Sequence, residues 1–303
     1  MRHIPVILRE TIESLMLKPG DTVIDATVGD GGHSEEILKK IGPTGRLLAL
    51  DADPESLLRA ERFLYEYRSQ ISFVRTNFSH LEKSAAENGY REVSAVLMDL
   101  GWSMPQFKER GRGFSFETDE PLDMRYDPSA TYTTAERLLN ESTEQDLEKM
   151  FRFYGEEPFS RAIAEAIVLA RIATPLATTG DLVKVVLEVY RKKLHSTKEV
   201  PWTRGIHPAT RVFQALRIAV NQEFEVLKQV LPQALRVLKP GGRLAVITFH
   251  SLEDRIVKHY FMSEHGKKGM IITKKPLLAS EGELAENAAA RSAKLRVFQK
   301  NNS

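Results

Sequence analysis

One stretch near the N-terminus restricts the folds open to this chain more than any other. Thr22-Val23-Ile24-Asp25-Ala26-Thr27-Val28 is a short apolar run of strand type, Gly29-Asp30-Gly31-Gly32-His33 is a glycine turn, and Ser34 to Ile41 has helical spacing. Strand, glycine turn and helix in that order open a parallel β-α-β unit. A second strand at Arg46 to Leu50 ends in Asp51, a helix of period 3.6 runs through Leu57, Leu58 and Leu64, and further strands are read at Ile71 to Val74 and Val93 to Met98. This alternation predicts a mostly parallel α/β sheet.

After Asp99 the alternation stops. A Gly, Arg and Phe-rich stretch from Gly101 to Phe116 leads into helical patterning between Thr134 and Leu194. The prediction is an inserted helical domain over 104–206 within a discontinuous sheet domain of 1–103 and 207–303. Inside the insertion, Ser142 and Gln145 have capping-box spacing, and Arg161 to Ala173 carries an apolar helical face. A helix entered at Pro208 is expected to run toward Leu238, followed by Lys239-Pro240-Gly241-Gly242, a strand from Arg243 to Phe249, and two candidate strands around Ile271 and Leu295. With 303 residues and no cysteine, disulfide scaffolds, cysteine-ligated metal sites and thiol nucleophiles are excluded. No run approaches the ~18 apolar residues of a membrane span. The net charge of +2 is too small to name a partner. A cytoplasmic location is expected.

A bare-backbone turn after a first strand lets a ligand approach main-chain N–H groups, and an acid ending the second strand can take both hydroxyls of a ribose. Gly29 to His33 and Asp51 meet that description, which leaves nicotinamide dinucleotides and S-adenosylmethionine as cofactor classes. The turn lacks the third glycine of the dinucleotide fingerprint and puts Asp30 and His33 where a pyrophosphate would sit. An anionic side chain there disfavours a dinucleotide and suits the ammonium and sulfonium of S-adenosylmethionine. The Leu238 to Gly242 turn before a terminal strand points the same way. Asp25 has two readings of equal standing, attraction for that cationic ligand or capping of backbone donors in the turn.

The fourth strand ends Asp99-Leu100-Gly101-Trp102, placing a carboxylate, free carbonyls and an aromatic ring at the edge where α/β sheets bind ligands. Methylating an aromatic amine such as that of cytosine calls for acceptors for the amine hydrogens and a platform for the base, because the nitrogen lone pair is delocalised into the ring. The arrangement is similar to the Asp-Pro-Pro-Tyr pattern of amino-methyltransferases, with Trp102 in the aromatic place; the alternative is a core or domain-seam tryptophan. Phe249 to Arg255 reads as pocket wall or base contact. His250 there is either a candidate base or a buried structural histidine. No Gly-x-Ser-x-Gly elbow is present, and His250 and His259 lack a third metal ligand at a known spacing.

Ordered blocks from His3 to Arg296 carry a resemblance: Asp25-Ala26-Thr27-x-Gly29-x-Gly31-Gly32-His33-Ser34, Asp99-Leu100-Gly101, Arg112-Gly113-Phe114-Ser115-Phe116, Leu122-Asp123-Met124-Arg125, Tyr154-Gly155-Glu156-Glu157, His207-Pro208-Ala209-Thr210-Arg211, Phe249 to Arg255, and Arg291-Ser292-Ala293-Lys294-Leu295-Arg296. The sequence resembles the MraW/RsmH family of bacterial ribosomal RNA small-subunit methyltransferases H. The resemblance implies a Rossmann-like class I methyltransferase fold with an inserted helical substrate-recognition domain. It implies S-adenosyl-L-methionine as cofactor and methylation of the exocyclic N4 amine of a P-site cytidine of 16S ribosomal RNA, numbered 1402 in that family. Carried over by position, the cofactor contacts are Gly31, Gly32, His33, Asp51, Phe78, Asp99 and Gln106. Phe78 would pack against the adenine, or else serve as a core residue at a helix entry. Asp99 is the catalytic candidate, with Trp102 as base platform and His250 as a further candidate; no metal is expected. The expected partner is 16S ribosomal RNA in the small subunit, with no membrane and with homodimerisation left open.

The chain departs from the family at Trp102-Ser103-Met104-Pro105-Gln106, where a Val-Ser-Ser-Pro-Gln run is usual, which keeps Gln106 and alters the shape near the transfer point. Glu120 replaces a common glycine, and Ala288 and Ala289 replace a Pro and an Arg, removing one phosphate contact. For RNA contacts the sequence offers Arg110 and Arg112 interleaved with Phe107, Phe114 and Phe116, and a tail with Lys258, Lys267, Lys268, Lys274, Lys275, Arg291, Lys294, Arg296 and Lys300. Three other functions compete: a methyltransferase for protein or small molecules, an RNA-binding assembly factor without turnover, and, more distantly, a nicotinamide dehydrogenase.

Overall fold

A computed structural model of the protein describes residues 5–100, 111–127, 129, 133–195 and 206–302. Its elements are α1 (Leu8–Leu15), β1 (Thr22–Asp25), α2 (Gly32–Ile41), β2 (Arg46–Asp51), α3 (Pro54–Phe63), β3 (Ile71–Arg75), α4 (Leu81–Glu87), β4 (Val93–Asp99), α5 (Ala135–Glu141), α6 (Glu144–Tyr154), α7 (Ser160–Ala173), α8 (Thr179–Leu194), α9 (Thr210–Asn221), α10 (Glu223–Val237), β5 (Leu238–Thr248), α11 (Ser251–Glu264), β6 (Gly269–Ile271), β7 (Leu277–Leu278), α12 (Glu281–Glu286) and β8 (Lys294–Lys300). The chain divides into two compact units, Met1–Ser103 with Phe224–Ser303, and Met104–Glu223.

In the first unit the strands form one sheet in the order β3-β2-β1-β4-β5-β8-β6, with β7 also paired to β8. The pairs among β1 to β5 are parallel. β8 runs antiparallel to β5, and β6 and β7 antiparallel to β8. Ile24, Leu48, Val96 and Met98 pack with α4, α10 and α11, whereas Val23, Leu47, Ala95 and Leu97 pack with α1 and α2. Both faces are therefore covered, which is why these strands read as continuous apolar runs rather than as alternating ones. A parallel sheet of this order, closed by an antiparallel strand beside β5, is a Rossmann-like α/β sheet, the fold class expected.

The second unit is helical and has its own core, including Leu139, Leu147, Phe151, Ile163, Ile167, Leu182, Val186, Phe213 and Leu216. Because α9 contributes Val212, Phe213, Leu216 and Val220 to that core, the second boundary falls after Glu223 rather than at the expected 206. A β-carbon on Gly155 would sit 2.5 Å from the Arg211 carbonyl oxygen, so the end of α6 meets the start of α9 with no room for a side chain. Glu120 is a brace: its carboxylate accepts from the Gly113 N–H (2.8 Å) and the Thr118 hydroxyl (2.8 Å), and its N–H donates to Thr179 Oγ1 (3.0 Å).

Three local expectations are corrected. The helix from Pro208 to Leu238 is two helices, parted at Gln222, which adopts a left-handed conformation with φ of 51°. No glycine or proline marks that break. The cap of α6 is Thr143, whose hydroxyl accepts from the Asp146 N–H, because Ser142 is already used to end α5. The Lys239 to Gly242 turn lies inside β5 as an irregularity in its pairing with β4, where Val93 pairs with Leu238 but Ala95 with Arg243. No helix among the described residues is long and apolar enough to cross a membrane.

The Arg296 guanidinium, buried on β8, donates to both oxygens of Asp254 on α11 (2.5 and 3.0 Å). Removing one partner of a buried pair strands the other charge. Asp254→Ala is expected to cost about 3 kcal/mol in chemical denaturation, and pairing it with Arg296→Met to recover most of that loss.

Candidate functional site

The strand order reverses between β1 and β4, and the crevice outside the carboxyl ends at such a reversal is where open α/β sheets take ligands. The chain leaving β1 is shared between its neighbours. Ala26 N–H donates to Leu97 O on β4 and Val28 N–H to Leu50 O on β2, both at 2.9 Å. Between them the Thr27 hydroxyl oxygen accepts from the Asp99 N–H at 2.7 Å, tying the ends of β1 and β4 together.

The glycine turn follows. Gly29 and Gly31 have positive φ, 53° and 86°. A β-carbon on Gly31 would press on Leu64 at 3.0 Å, and one on Gly32 on Pro5 at 3.0 Å, whereas at Gly29 it would meet nothing within 4 Å. The turn is thus packed from behind and open at Gly29. Asp51, at the end of β2, accepts from the Gly29 N–H on one oxygen and the Asp53 N–H on the other, each at 2.9 Å. A carboxylate has about four lone-pair sites, so one remains on each oxygen, a match for the two hydroxyls of a ribose. Enclosure of this carboxyl, reinforced by the nearby charges of Asp53 and Asp25, pushes its pKa up to about 7.

Of the two readings of Asp25, the geometry realises the capping one. Asp25 is fully buried and accepts from the Ser34 hydroxyl (2.7 Å) and the Thr27 N–H (3.1 Å), and burial pushes it up to about 6. Asp30 receives the Arg59 guanidinium at 2.7 Å, so its charge is balanced within the protein. Sequence reasoning passed over Thr27, Ser34 and Asp53. Asp53 was readable, since Asp followed by Pro is a helix-start signal, and it caps α3 through the Glu55 and Ser56 N–H groups.

His33 is buried at the start of α2. Its Nε2 lies 3.1 Å from the Val6 carbonyl oxygen, which can only accept, so Nε2 carries a proton. Its Nδ1 faces Asp99 Oδ2 at 3.5 Å. That contact is an ion pair when the imidazole carries both protons. Phe78 is half-buried and packs on the core that contains Leu81 and Ala85. His250 is the N-cap of α11: its Nδ1 accepts from the Glu253 N–H at 3.4 Å, while Glu253 returns bonds to the Phe249 and His250 N–H groups. That lone pair is occupied by the cap. Trp102 and Gln106 lie outside the described residues.

The basic surface is smaller than the sequence suggested. Arg296 is committed to Asp254, Lys268 pairs with Glu264 at 3.0 Å, and Lys300 donates to the carbonyl of Leu238 at 2.6 Å. Lys258, Lys267, Lys274, Lys275 and Arg291 are exposed. In the Arg112 to Phe116 segment the side chains serve the loop itself. Arg112 donates to the carbonyls of Arg125 and Tyr126, Phe114 stacks on Tyr126, and Phe116 packs against His207 and Phe213. Arg110 and Phe107 are outside the described residues.

A family model described as the MraW methylase family matches residues 1–301. The chain belongs to that family. A ribosomal RNA small subunit methyltransferase H from Symbiobacterium thermophilum is 45% identical over 98% of this chain and 96% of the relative. Proteins of the same name from Heliobacterium modesticaldum (42%) and Heliobacterium mobile (44%) each cover 98% of both chains. As an MraW methylase the chain is a methyltransferase, and S-adenosylmethionine is its cofactor. The open Gly29 position and the spare lone pairs of Asp51 fit the nucleoside of that cofactor.

Ribose hydroxyls placed on the spare lone pairs of Asp51 would donate best to the ionised carboxylate. With a pKa of about 7, affinity for S-adenosylhomocysteine is expected to rise between about pH 6 and about pH 8, with proton release on binding, measurable by calorimetry in buffers of different ionisation enthalpy. The ligand-free protein runs the opposite way. A carboxyl raised on folding contributes stability that is complete below its unfolded pKa and is lost as pH rises through its folded one. Asp51→Asn is expected to flatten the binding profile and weaken binding roughly tenfold or more.

Proposed function

We propose that this chain transfers a methyl group from S-adenosylmethionine to the exocyclic N4 amine of a P-site cytidine in the 16S ribosomal RNA of the small ribosomal subunit. One observation carries the reading: Asp99, its N–H held by Thr27 and its carboxylate faced by His33, stands at the same strand edge as the glycine turn and Asp51. The names of the relatives, each a small-subunit ribosomal RNA methyltransferase, support the substrate class.

In this reading Gly31, Gly32, His33, Asp51, Phe78, Asp99 and Gln106 hold the cofactor, which supplies a methyl group on a cationic, electron-poor sulfur. Asp99 also accepts one hydrogen of the cytosine amine and aims its nitrogen at that methyl, while Trp102 supports the face of the base. This nitrogen would take the methyl from the sulfur of the bound cofactor, which is left as the neutral thioether. The nitrogen then carries a positive charge that the Asp99 carboxylate stabilises until one amine proton leaves to solvent. Positioning supplies most of the acceleration, since the reaction is an in-line displacement. With its Nδ1 in the cap, His250 contributes to the wall rather than to proton transfer. The helical unit is read as the substrate-recognition domain.

The test is transfer of labelled methyl to small subunits from a strain lacking the gene, followed by nucleoside analysis. The expected product is N4-methylated cytidine. Asp99→Asn is expected to lower turnover by roughly a hundredfold or more. Full turnover in that variant, or label on another nucleoside or on protein, would overturn the assignment.

A further inference from the structure

The helical unit holds a cationic pocket that the reading of the methyl-transfer site does not use. It has a volume of about 440 Å³ and lies where the end of α6, the start of α7 and the end of α8 converge. Each of these helices contributes one exposed cation to its lining: Arg152, Arg161 and Lys193. None of the three has a carboxylate within ion-pair distance among the described residues, although Glu148 stands one helical turn before Arg152. Glu157, the other acid of the lining, is turned inward, its oxygens taken by the Tyr190 hydroxyl and the Phe159 N–H.

Helix dipoles account for part of this arrangement and leave the rest unexplained. A cation in the last turn of a helix is favourable, which covers Arg152 and Lys193; a cation in the first turn is not, and Arg161 is in the first turn of α7. That turn has no acidic residue and no side-chain cap. Its Ser160 N–H reaches Glu157 O and its Ile163 N–H reaches Phe159 O, while the N–H groups of Arg161 and Ala162 have no acceptor among the described residues. Three like charges and two unused donors thus face one hollow, and an anion is what would offset them. Beside it Phe153 is 60% exposed, with the Arg152 guanidinium 5.7 Å from its ring centroid. An exposed aromatic ring against Arg152, one of the cations lining the pocket, matches the backbone-and-base chemistry of unpaired RNA.

We infer that this pocket is a seat for a backbone phosphate of the substrate RNA, with Phe153 as a stacking surface for an adjoining base. The inference rests on RNA being the substrate, as proposed above. It gives the helical unit an RNA contact built from α6, α7 and α8, and it assigns Arg161 a binding duty that works against the stability of its own helix.

The experiment measures binding of the full-length protein to small ribosomal subunits from a strain lacking the gene, across a series of salt concentrations. The Arg161→Ala, Lys193→Ala double variant is expected to bind roughly tenfold more weakly, with the slope of log affinity against log salt reduced by roughly 1 to 2. Glu148→Gln is expected to act in the opposite direction and tighten binding. Arg161→Ala alone is expected to melt no lower than the parent, because it removes an unfavourable helix charge, and S-adenosylhomocysteine binding is expected to be unaltered. An unchanged affinity and salt slope in the double variant, in a preparation whose parent protein methylates the subunits, would overturn this inference and leave the proposed function standing. A parent protein that neither binds nor methylates the subunits would overturn both.

Discussion

The hydrogen bond from the Asp99 amide to the Thr27 hydroxyl does more for this protein than its single distance of 2.7 Å suggests. At the end of β1 the backbone donates first to β4 and then, two residues later, to β2. Without a tie between the separating strand ends, the crevice would be bordered by two loose loops. The Thr27 hydroxyl supplies that tie, and it fixes the residue that also faces His33. The glycine turn is then set by packing from behind, and Asp51 grips its first N–H from the neighbouring strand.

The acids at this edge explain the choice of ligand better than the glycines do. Asp51, Asp53 and Asp99 stand at or just beyond strand ends, and enclosure raises Asp51 far above ordinary carboxylates. A pyrophosphate would meet a field of the wrong sign here. A ligand with a cationic sulfur and an ammonium group meets the right one. The same crowding costs stability in the empty protein, the usual trade at a site shaped for something else.

Much of the sheet and the placement of the glycine turn beside Asp51 could be read from the sequence, because strand, turn and acid are adjacent in the chain and obey short-range rules. Gly29 to His33 and Asp51 needed only their spacing. Failures came where distant residues decide. Arg296 reads as a free cation until Asp254, far earlier in the chain, is seen against it. Ser142 has the spacing of a capping box but already terminates one helix, so its neighbour starts the next. The break at Gln222 uses a residue type with no special tolerance for left-handed backbone, and composition could not reveal it. Arg112 and Phe114, interleaved as an RNA surface would be, spend their bonds within their own loop.

The antiparallel strand β8 bears on how the molecule is made. It lies inside the sheet, between β5 and β6, yet it comes last among the strands in the chain. β5 is complete at Thr248, but Lys294, its partner there, follows 46 residues later. During synthesis the edge of β5 is left with unmatched N–H and C=O groups through that interval, the kind of edge that pairs with stray strands. Sheet completion is thus a late, long-range event, and a nascent chain interrupted before β8 exposes a sticky edge in a sheet whose β1–β4 crevice is already formed.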